Sequence, residues 1–373
     1  MRILKVILFL FVCYYSNGIA QTIHDSLPGK RLSYLTDNKM ITGLDSLVER
    51  TVVDFMQSPQ NCGLSIGIIK DSATYFYNYG ETKRNNKNLP DKNSIYEIGS
   101  ISKTFCGIIL AYAVGEGKIK LEDDIRKYLP EHYSNLEMNK QFIQIKHLAN
   151  HTSGLPRLPD NLKDQPDFNP LNPYKNYSKK MVFEFLKTVK LDHEPGDACE
   201  YSNFGMGLLG MILENVYNLP FEEIIKKKIC LPNKMNSTLI NVSQEQLTFL
   251  TDGYNSAGVL TPHWDLGVFV SAGGIKSSTD DMLSYLRFNM NEEDAALKLA
   301  HRSTYNNGSN VALAWHIIKT KLGNELVWHN GATFGYSSFC GFIKEKKCAV
   351  VVLSNSSTNV DQIGISIFKI LQK

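Results

Sequence analysis

The stretch EIGSISKTF, residues 97–105, ends an apparent strand at a glycine and opens an apolar helix predicted over residues 106–114. Ser100 falls in the first turn of this pattern, where backbone N–H groups lack partners and the helix dipole favours negative charge. Lys103 follows three residues later, so its amine can lie over the same face as the Ser100 hydroxyl. A serine becomes nucleophilic when a base takes its proton, and a desolvated lysine can be that base. The spacing therefore predicts a nucleophile and base pair.

Two further motifs follow in a fixed order along the chain. The sequence YSN at 201–203 comes after a Glu-Pro-Gly turn signal and precedes the apolar run 205–213. The sequence HNG at 329–331 ends a strand pattern that begins at residue 325. The chain thus carries Ser-x-x-Lys, then Tyr-x-Asn, then a basic or polar residue-x-Gly.

This ordered set resembles the serine hydrolases built like class C β-lactamases and penicillin-binding DD-peptidases. Three more stretches are similar to the same family: LANHTSGLP at 148–156, EPG at 194–196 leading to YSNFG at 201–205, and AGGIKSSTDDM at 272–282. The resemblance runs from about residue 47 to the C-terminus. It implies an α+β fold of the β-lactamase/transpeptidase type, in which an antiparallel sheet from both chain ends is flanked by helices and carries an inserted helical lobe.

The resemblance also implies the catalytic roles. Ser100 attacks a carbonyl carbon and forms an acyl-enzyme, while Lys103 and Tyr201 remove the serine proton and later activate water. A lysine with a pKa near 10.4 needs burial or positive neighbours to act as a base at neutral pH, and a tyrosine needs a nearby cation. Placing the two side by side serves both requirements, and the sequence leaves open which of them is the base.

Substrate binding falls to the other motif residues. The resemblance implies that Asn203 hydrogen-bonds the substrate amide and holds Lys103 in place, and that His329 and Gly331 contact the substrate. The oxyanion hole is expected between the backbone N–H groups of Ser100 and Ala332.

His329 is a departure from the best-known members, which usually carry Lys-Thr-Gly at this point. Histidine is mostly neutral above about pH 6.5, so binding of a substrate carboxylate is expected to weaken and to improve only as the pH falls toward about 6. Relatives with His-x-Gly include esterases and aminopeptidases acting on D-amino acids. The expected function is a secreted serine hydrolase cleaving a β-lactam, a D-amino-acid peptide or an ester. The alternative is a penicillin-binding or ligand-sensing protein without turnover.

Composition agrees with a folded, exported enzyme, and the resemblance implies a small-molecule or short-peptide substrate. The 373 residues are 43% hydrophobic, and the formal net charge of +3 includes no basic stripe that would predict nucleic-acid binding. We expect a signal peptide at 1–20, a tail at 21–38 and one hydrolase domain at 39–373. Its α/β lobe is expected at about 39–120 and 261–373, around a helical lobe at about 121–260.

The leader has the order of features of a cleavable export signal. Arg2 and Lys5 precede the apolar run 6–15, and small residues at 18–20 mark a cleavage site before Gln21. The predicted location is the periplasm or the medium. A lipoprotein signal cut before Cys13 is the alternative, although Val12 is not the small residue such a site prefers.

No metal or cofactor is expected. The six cysteines beyond the leader lack paired C-x-x-C spacing and lie mostly in apolar runs, where thiols pack as small hydrophobic groups. His147 and His151 are four residues apart, but no glutamate follows His147 and His151 lies in the HTSGLP loop.

Hydrophobic periodicity places the remaining elements. The proline-rich segment 157–178 is expected to form a wall of the substrate cleft. We predict an amphipathic helix over 41–55, a hairpin of strands 64–69 and 73–78, strands at 312–319, 325–330, 337–343 and 348–353, and a last helix over 360–371.

Overall fold

The computed structural model describes residues 33–291 and 293–372. The signal peptide predicted at 1–20, the alternative cleavage before Cys13 and most of the tail at 21–38 therefore lie outside the described residues. From Ser33 onward the chain forms one compact unit. The bounds of the two predicted lobes stay a prediction.

Six strands rich in β-branched and aromatic residues form one antiparallel sheet, with two strands from the start of the described chain and four from its end. Its spatial order is β2-β1-β6-β5-β4-β3, and every neighbouring pair runs antiparallel. The predicted α+β class, with a sheet assembled from both chain ends, is confirmed. The strands are β1 (Gly63–Lys70), β2 (Ala73–Gly80), β3 (His316–Lys319), β4 (Glu325–Ala332), β5 (Ser337–Ile343) and β6 (Cys348–Ser354).

Helices cover both faces of the sheet and fill the segment between its two halves. Several begin at side-chain caps: Thr42 and Asp45 form a capping box on α1, and Ser278 caps α8. The helices among the described residues are α1 (Gly43–Met56), α2 (Ser102–Gly115), α3 (Ile145–Ala149), α4 (Lys179–Thr188), α5 (Asn203–Tyr217), α6 (Phe221–Ile225), α7 (Val270–Gly273), α8 (Thr279–Asn289), α9 (Ala295–His301) and α10 (Asp361–Leu371).

The central strand β6 shows how the sheet separates two hydrophobic cores. Val350 and Val352 face α1 and α10, whereas Val351 and Leu353 face the larger core that contains α2, α5 and α8. This alternation follows from the two-residue period of a strand, and a strand that is apolar on both faces must be covered on both.

Helix α2 lies inside the larger core. It is apolar around most of its circumference, and its residues from Ser102 to Ala111 are all buried. A helix enclosed in this way holds its first turn in a fixed position relative to both α5 and the sheet.

One predicted strand is too long. Residues 312–319 were expected to be extended, but β3 begins only at His316. In the preceding residues Leu313 N donates to Ala300 O and Ala314 N donates to Ala149 O, and Ala314 has a φ of 62°. The apolar run is buried as its composition predicts, but its backbone bonds to the helical region instead of to β4.

The cysteine prediction can be compared directly with the structure. The six described cysteines are free, and all but Cys199 are buried, so their predicted packing as small hydrophobic groups is confirmed for those five. None of the described helices combines the length and apolar character that crossing a membrane requires.

Candidate active site

A short turn at the entrance of α2 holds Ser100. A two-stranded ladder that includes Tyr96–Glu97 leads the chain into a 3₁₀ turn, Gly99–Ile101, which continues directly into α2. Ser100 keeps partial exposure, whereas Ser102 is fully buried and its Oγ accepts a hydrogen bond from Ile275 N at 3.0 Å. Of the two serines in this turn, only Ser100 is available to a substrate.

Lys103 lies beneath Ser100 with its amine enclosed by protein. Its Nζ is 3.0 Å from Ser100 Oγ and donates a hydrogen bond to the carbonyl oxygen of Ala272 at 2.5 Å. The side chain is fully buried. Desolvation, with a smaller contribution from the positive charge of Arg157, holds the pKa of Lys103 well below its ordinary value of 10.5. The amine is therefore neutral at a pH where an exposed lysine is charged.

Tyr201 lies close to this amine and is surrounded by rings and basic side chains. Lys103 Nζ is 4.8 Å and Arg157 Cζ 5.0 Å from the centroid of its ring, and the His151 ring lies at 4.3 Å. Burial raises the pKa of the Tyr201 hydroxyl, while a hydrogen bond with Ser100 and the charge of Arg157 oppose that rise. The phenol remains protonated at neutral pH. The burial that Lys103 needs in order to act as a base is present, whereas burial disfavours the phenolate form of Tyr201.

His151 packs against the Tyr201 ring and bonds to the start of α5. Its backbone adopts the left-handed conformation at φ 63°, which turns the end of α3 into the HTSGLP loop. Its Nδ1 accepts a hydrogen bond from Ser202 N at 3.3 Å. Burial and the neighbouring cationic groups hold the pKa of His151 well below 6.5. Among the described residues, no group of three or more potential ligands could hold a metal ion.

Asn203 begins α5, whose N-terminus is capped by Ser202 Oγ through Gly205 N at 2.8 Å. Its Oδ1 is buried and has no hydrogen-bond partner among the described residues. Asn203 lines the cleft beside Ser100, so this oxygen is available to a substrate donor. Its expected second task, holding Lys103 in place, is performed by the carbonyl oxygen of Ala272.

Two glycines let the strand β4 approach the turn that carries Ser100. A Cβ at Gly331 would lie 2.1 Å from Ile98 O and 2.9 Å from Ser100 N. A Cβ at Gly99, whose φ is 50°, would lie 2.7 Å from Ala332 N. Because neither position has room for a side chain, the backbone of Ala332 lies close to that of Ser100. This is the arrangement that a pair of backbone oxyanion donors requires.

His329 does not reach the cleft. It is 1% exposed, its Nδ1 is 2.5 Å from Asn330 O, and its Nε2 is buried without a partner among the described residues. Burial, then the neighbouring His316 and Lys103, hold the pKa of His329 well below 6.5. Its expected contact with a substrate carboxylate and its expected gain of charge near pH 6 are therefore both wrong. The sequence shows a strand-end histidine but not that its side chain is enclosed.

The cleft itself opens over Ser100 between the turn, α5, α7 and β4. The segment 157–178 was expected to form a wall, and this is confirmed because Arg157, Leu158 and Tyr174 line the cleft. The sequence assigned no individual role to Arg157 within this wall, or to the Ala272 carbonyl. The other lining residues are Gly99, Ser100, Asn203, Trp264, Leu266, Phe269, Ala272, Gly273, Ala332 and Thr333.

Comparisons with known proteins agree with this geometry. A sequence profile of the Beta-lactamase family matches residues 48–367. The chain is 26% identical over 354 residues to a β-lactamase of Pseudomonas fluorescens, covering 85% of this chain and 94% of that protein. It is 27% identical over 323 residues to Protein flp of Staphylococcus aureus (strain N315), covering 83% and 62% respectively.

A solved structure shares the fold over nearly the whole chain. The β-lactamase/D-alanine carboxypeptidase from Pseudomonas syringae superposes with a TM-score of 0.75 at 25% sequence identity, covering 89% of this chain and 99% of that chain. The family profile, the curated relatives and the shared fold lead to one assignment. The chain belongs to the β-lactamase family and is a serine hydrolase of that fold.

Proposed function

We propose that this chain is an exported enzyme that cleaves an amide or ester bond, in a β-lactam, a D-amino-acid peptide or an ester, through an acyl-enzyme on Ser100. The observation that carries the proposal is the 3.0 Å separation between Ser100 Oγ and the buried amine of Lys103. A hydroxyl this close to a neutral amine can transfer its proton as it attacks a carbonyl carbon.

Lys103 is the general base in this mechanism. The neutral amine directs one N–H to the Ala272 carbonyl oxygen, which leaves its lone pair free to face Ser100. As the Ser100 oxygen bonds to the substrate carbon, Lys103 takes the serine proton and the carbonyl electron pair moves onto the substrate oxygen. Tyr201 remains a phenol because burial raises its pKa. Its hydroxyl can therefore pass a proton from Lys103 to the departing amine or alcohol.

The negative oxygen of this intermediate is stabilised by backbone donors. The close approach of Gly99 and Gly331 supports a site between the N–H groups of Ser100 and Ala332. Such donors act without reorganisation because the backbone already holds them in place, and each typically contributes about 2.7–4 kcal/mol to lowering the barrier. Collapse of the intermediate breaks the bond to the leaving group, and water later attacks the acyl-enzyme by the same route.

Covalent labelling tests the nucleophile. A fluorophosphonate should modify Ser100 alone, and Ser100→Ala should lose both labelling and turnover while keeping the circular dichroism of the parent.

Lys103→Ala should react far more slowly with the same reagent. The loss of rate in the double variant Lys103→Ala/Tyr201→Phe should be less than the product of the two single losses, because these groups act as one unit. Mass spectrometry of the adduct identifies the site, and an adduct on Ser102 or Ser202 would contradict the assignment. Rapid labelling without turnover of any ester would favour the alternative function, a penicillin-binding or ligand-sensing protein without turnover.

The pH dependence of acylation tests the base. Since Lys103 acts when deprotonated and its pKa is lowered, the acylation rate for an uncharged ester should rise through that lowered pKa and level off well below pH 10.5. Removing the nearby positive charge in Arg157→Gln favours the protonated amine, so the rising limb should move to higher pH. Stopped-flow acylation across the pH range measures both curves. A limb that appears only near pH 10.5 contradicts Lys103 as the base, whereas a limb that Arg157→Gln leaves in place shows that desolvation alone lowers its pKa.

Gly331→Ala tests the oxyanion hole. The added Cβ would collide with the backbone of Ile98 and push β4 away from Ser100, so the acylation rate should fall by roughly 10²–10³-fold, the usual effect of losing one donor. The control is Gly115→Ala at the end of α2, where nothing lies within 4 Å of the new Cβ. Presteady-state kinetics with the same ester should find the control near the parent rate. Equal rates for the two variants would remove the support for this site.

Export is tested by the N-terminus of the mature protein. The charged end, apolar run and small residues of the leader predict cleavage before Gln21. Protein recovered from the periplasm or medium of a bacterial host should begin at Gln21 and carry no lipid. Mass spectrometry that finds an acylated Cys13 at the N-terminus would establish the lipoprotein alternative instead.

A further inference from the structure

The cleft has one charged side chain among the described residues that line it, Arg157. Its other lining residues are aromatic, aliphatic, small or neutral polar. Lys103 lies beneath the floor with a lowered pKa, and His329 is buried in the neutral form. Among the described residues that line the cleft, the positive charge therefore lies on the wall formed by the segment 157–178.

The Arg157 guanidinium is available to a ligand. The side chain is exposed, and within the described part of the chain its contact is with the face of the Tyr201 ring, 5.0 Å from Cζ to the centroid. It makes no salt bridge or side-chain hydrogen bond with the described residues. A guanidinium carries five N–H donors in a planar fork, and a contact through its face leaves their edges free. A carboxylate is the group that matches this fork with two parallel hydrogen bonds.

The backbone holds Arg157 in position at the catalytic centre. Its carbonyl oxygen accepts hydrogen bonds from Asn203 N at 3.0 Å and Phe204 N at 3.2 Å. One residue earlier, Pro156 O accepts from Ser202 Oγ at 2.7 Å. The turn is thus fixed to the start of α5, and a group that binds Arg157 is oriented relative to Asn203 and Tyr201. Little ordering of the chain is needed when a ligand arrives.

Polar atoms without protein partners occupy the same cleft. Asn203 Oδ1 and Thr333 Oγ1 are both buried and have no hydrogen-bond partner within residues 33–291 and 293–372. Both residues line the cleft together with Arg157. Buried polar atoms are rarely left unpaired, so these two indicate a site for a polar ligand: Asn203 Oδ1 can accept from a ligand N–H or O–H, and Thr333 Oγ1 can donate to an anionic group that also reaches Arg157.

We propose that Arg157 is the specificity-determining residue of this cleft and binds a carboxylate carried by the substrate. This inference rests on the proposed acyl-enzyme chemistry of Ser100. It moves anion recognition from the β4 strand, where His329 is buried, to the wall formed by the segment 157–178. The favoured substrate is an ester or amide that bears a carboxylate, on either its acyl part or its leaving group.

Matched esters measure this preference. The first pair is mono-p-nitrophenyl succinate and p-nitrophenyl butyrate, which differ by a carboxylate on the acyl part; the second is 4-carboxyphenyl acetate and 4-acetylphenyl acetate. Each pair gives a ratio of kcat/KM for the charged ester over the neutral ester. For the pair that carries the carboxylate on the side of the substrate that Arg157 binds, this ratio should fall about tenfold or more in Arg157→Gln. Arg157→Lys should retain part of the preference for the charged ester. Any change in the pKa of Lys103 affects both members of a pair, so the ratio cancels it.

Lys175→Gln is the matched control. Lys175 is an exposed cation of the same segment, but it does not line the cleft. Its removal should leave both ratios unchanged, whereas a long-range attraction by net charge would lower them to a similar extent as Arg157→Gln. If Arg157→Gln changes neither ratio and moves only the pH profile, Arg157 tunes Lys103 without contacting the substrate, and the proposal is overturned.

A binding measurement separates this proposal from the proposed reaction. If none of the esters is hydrolysed, the acyl-enzyme chemistry fails, but titration of the Ser100→Ala protein with monomethyl succinate still tests Arg157. The dissociation constant should rise about tenfold or more when Arg157→Gln is added to Ser100→Ala. An unchanged dissociation constant, or no binding by either protein, rules out Arg157 as a carboxylate site.

Discussion

The enclosure of the Lys103 amine is the constraint on which the rest of the site depends. Lysine is almost never fully buried unless it is paired with a charge, and here its neighbours are a hydroxyl and a backbone carbonyl. Burial therefore removes the charge and leaves a base. This requires α2 to be inside the core, with α5 and α7 closing over its first turn. Ser271 Oγ, which donates to Met206 O at 3.0 Å, joins α7 to α5 and so fixes the Ala272 carbonyl above the amine.

The same low-polarity surroundings keep three histidines neutral. Burial holds the pKa of His316 at about 4 and those of His151 and His329 well below 6.5, and Lys103 contributes to each of these shifts. A proton on any of these groups would make protonation of the others less favourable, since like charges at short range repel strongly where water is excluded. His151 and His329 thus pack beside the Tyr201 ring without adding positive charge, and His316 packs against His329. Among the described residues that line the cleft, the charged side chain is that of Arg157, which is exposed.

Sequence alone predicted the local pattern well and the long-range packing poorly. The spacing of Ser100 and Lys103, the hairpin of β1 and β2 and the last three strands follow from periodicities that a linear pattern contains. The burial of His329 does not, because it depends on residues that are distant in sequence. Ala272 holds the Lys103 amine through its backbone carbonyl oxygen, and the residue type at position 272 does not indicate such a contact. Arg157 was visible as the residue after the HTSGLP loop. The sequence does not show that the other described residues lining the cleft are uncharged, because the fold brings them together from distant parts of the chain.

Arg157 links recognition to catalysis through a single charge. Its positive charge is the second contribution to the lowered pKa of Lys103, after desolvation. A carboxylate bound to the guanidinium would offset that charge and, taken alone, would raise the pKa of Lys103. A ligand filling the cleft also displaces water from above Ser100, which strengthens the desolvation that makes the larger contribution. Because the two effects oppose each other, the amine can remain neutral while the substrate is held, and an anion at the rim need not impair the base beneath the floor.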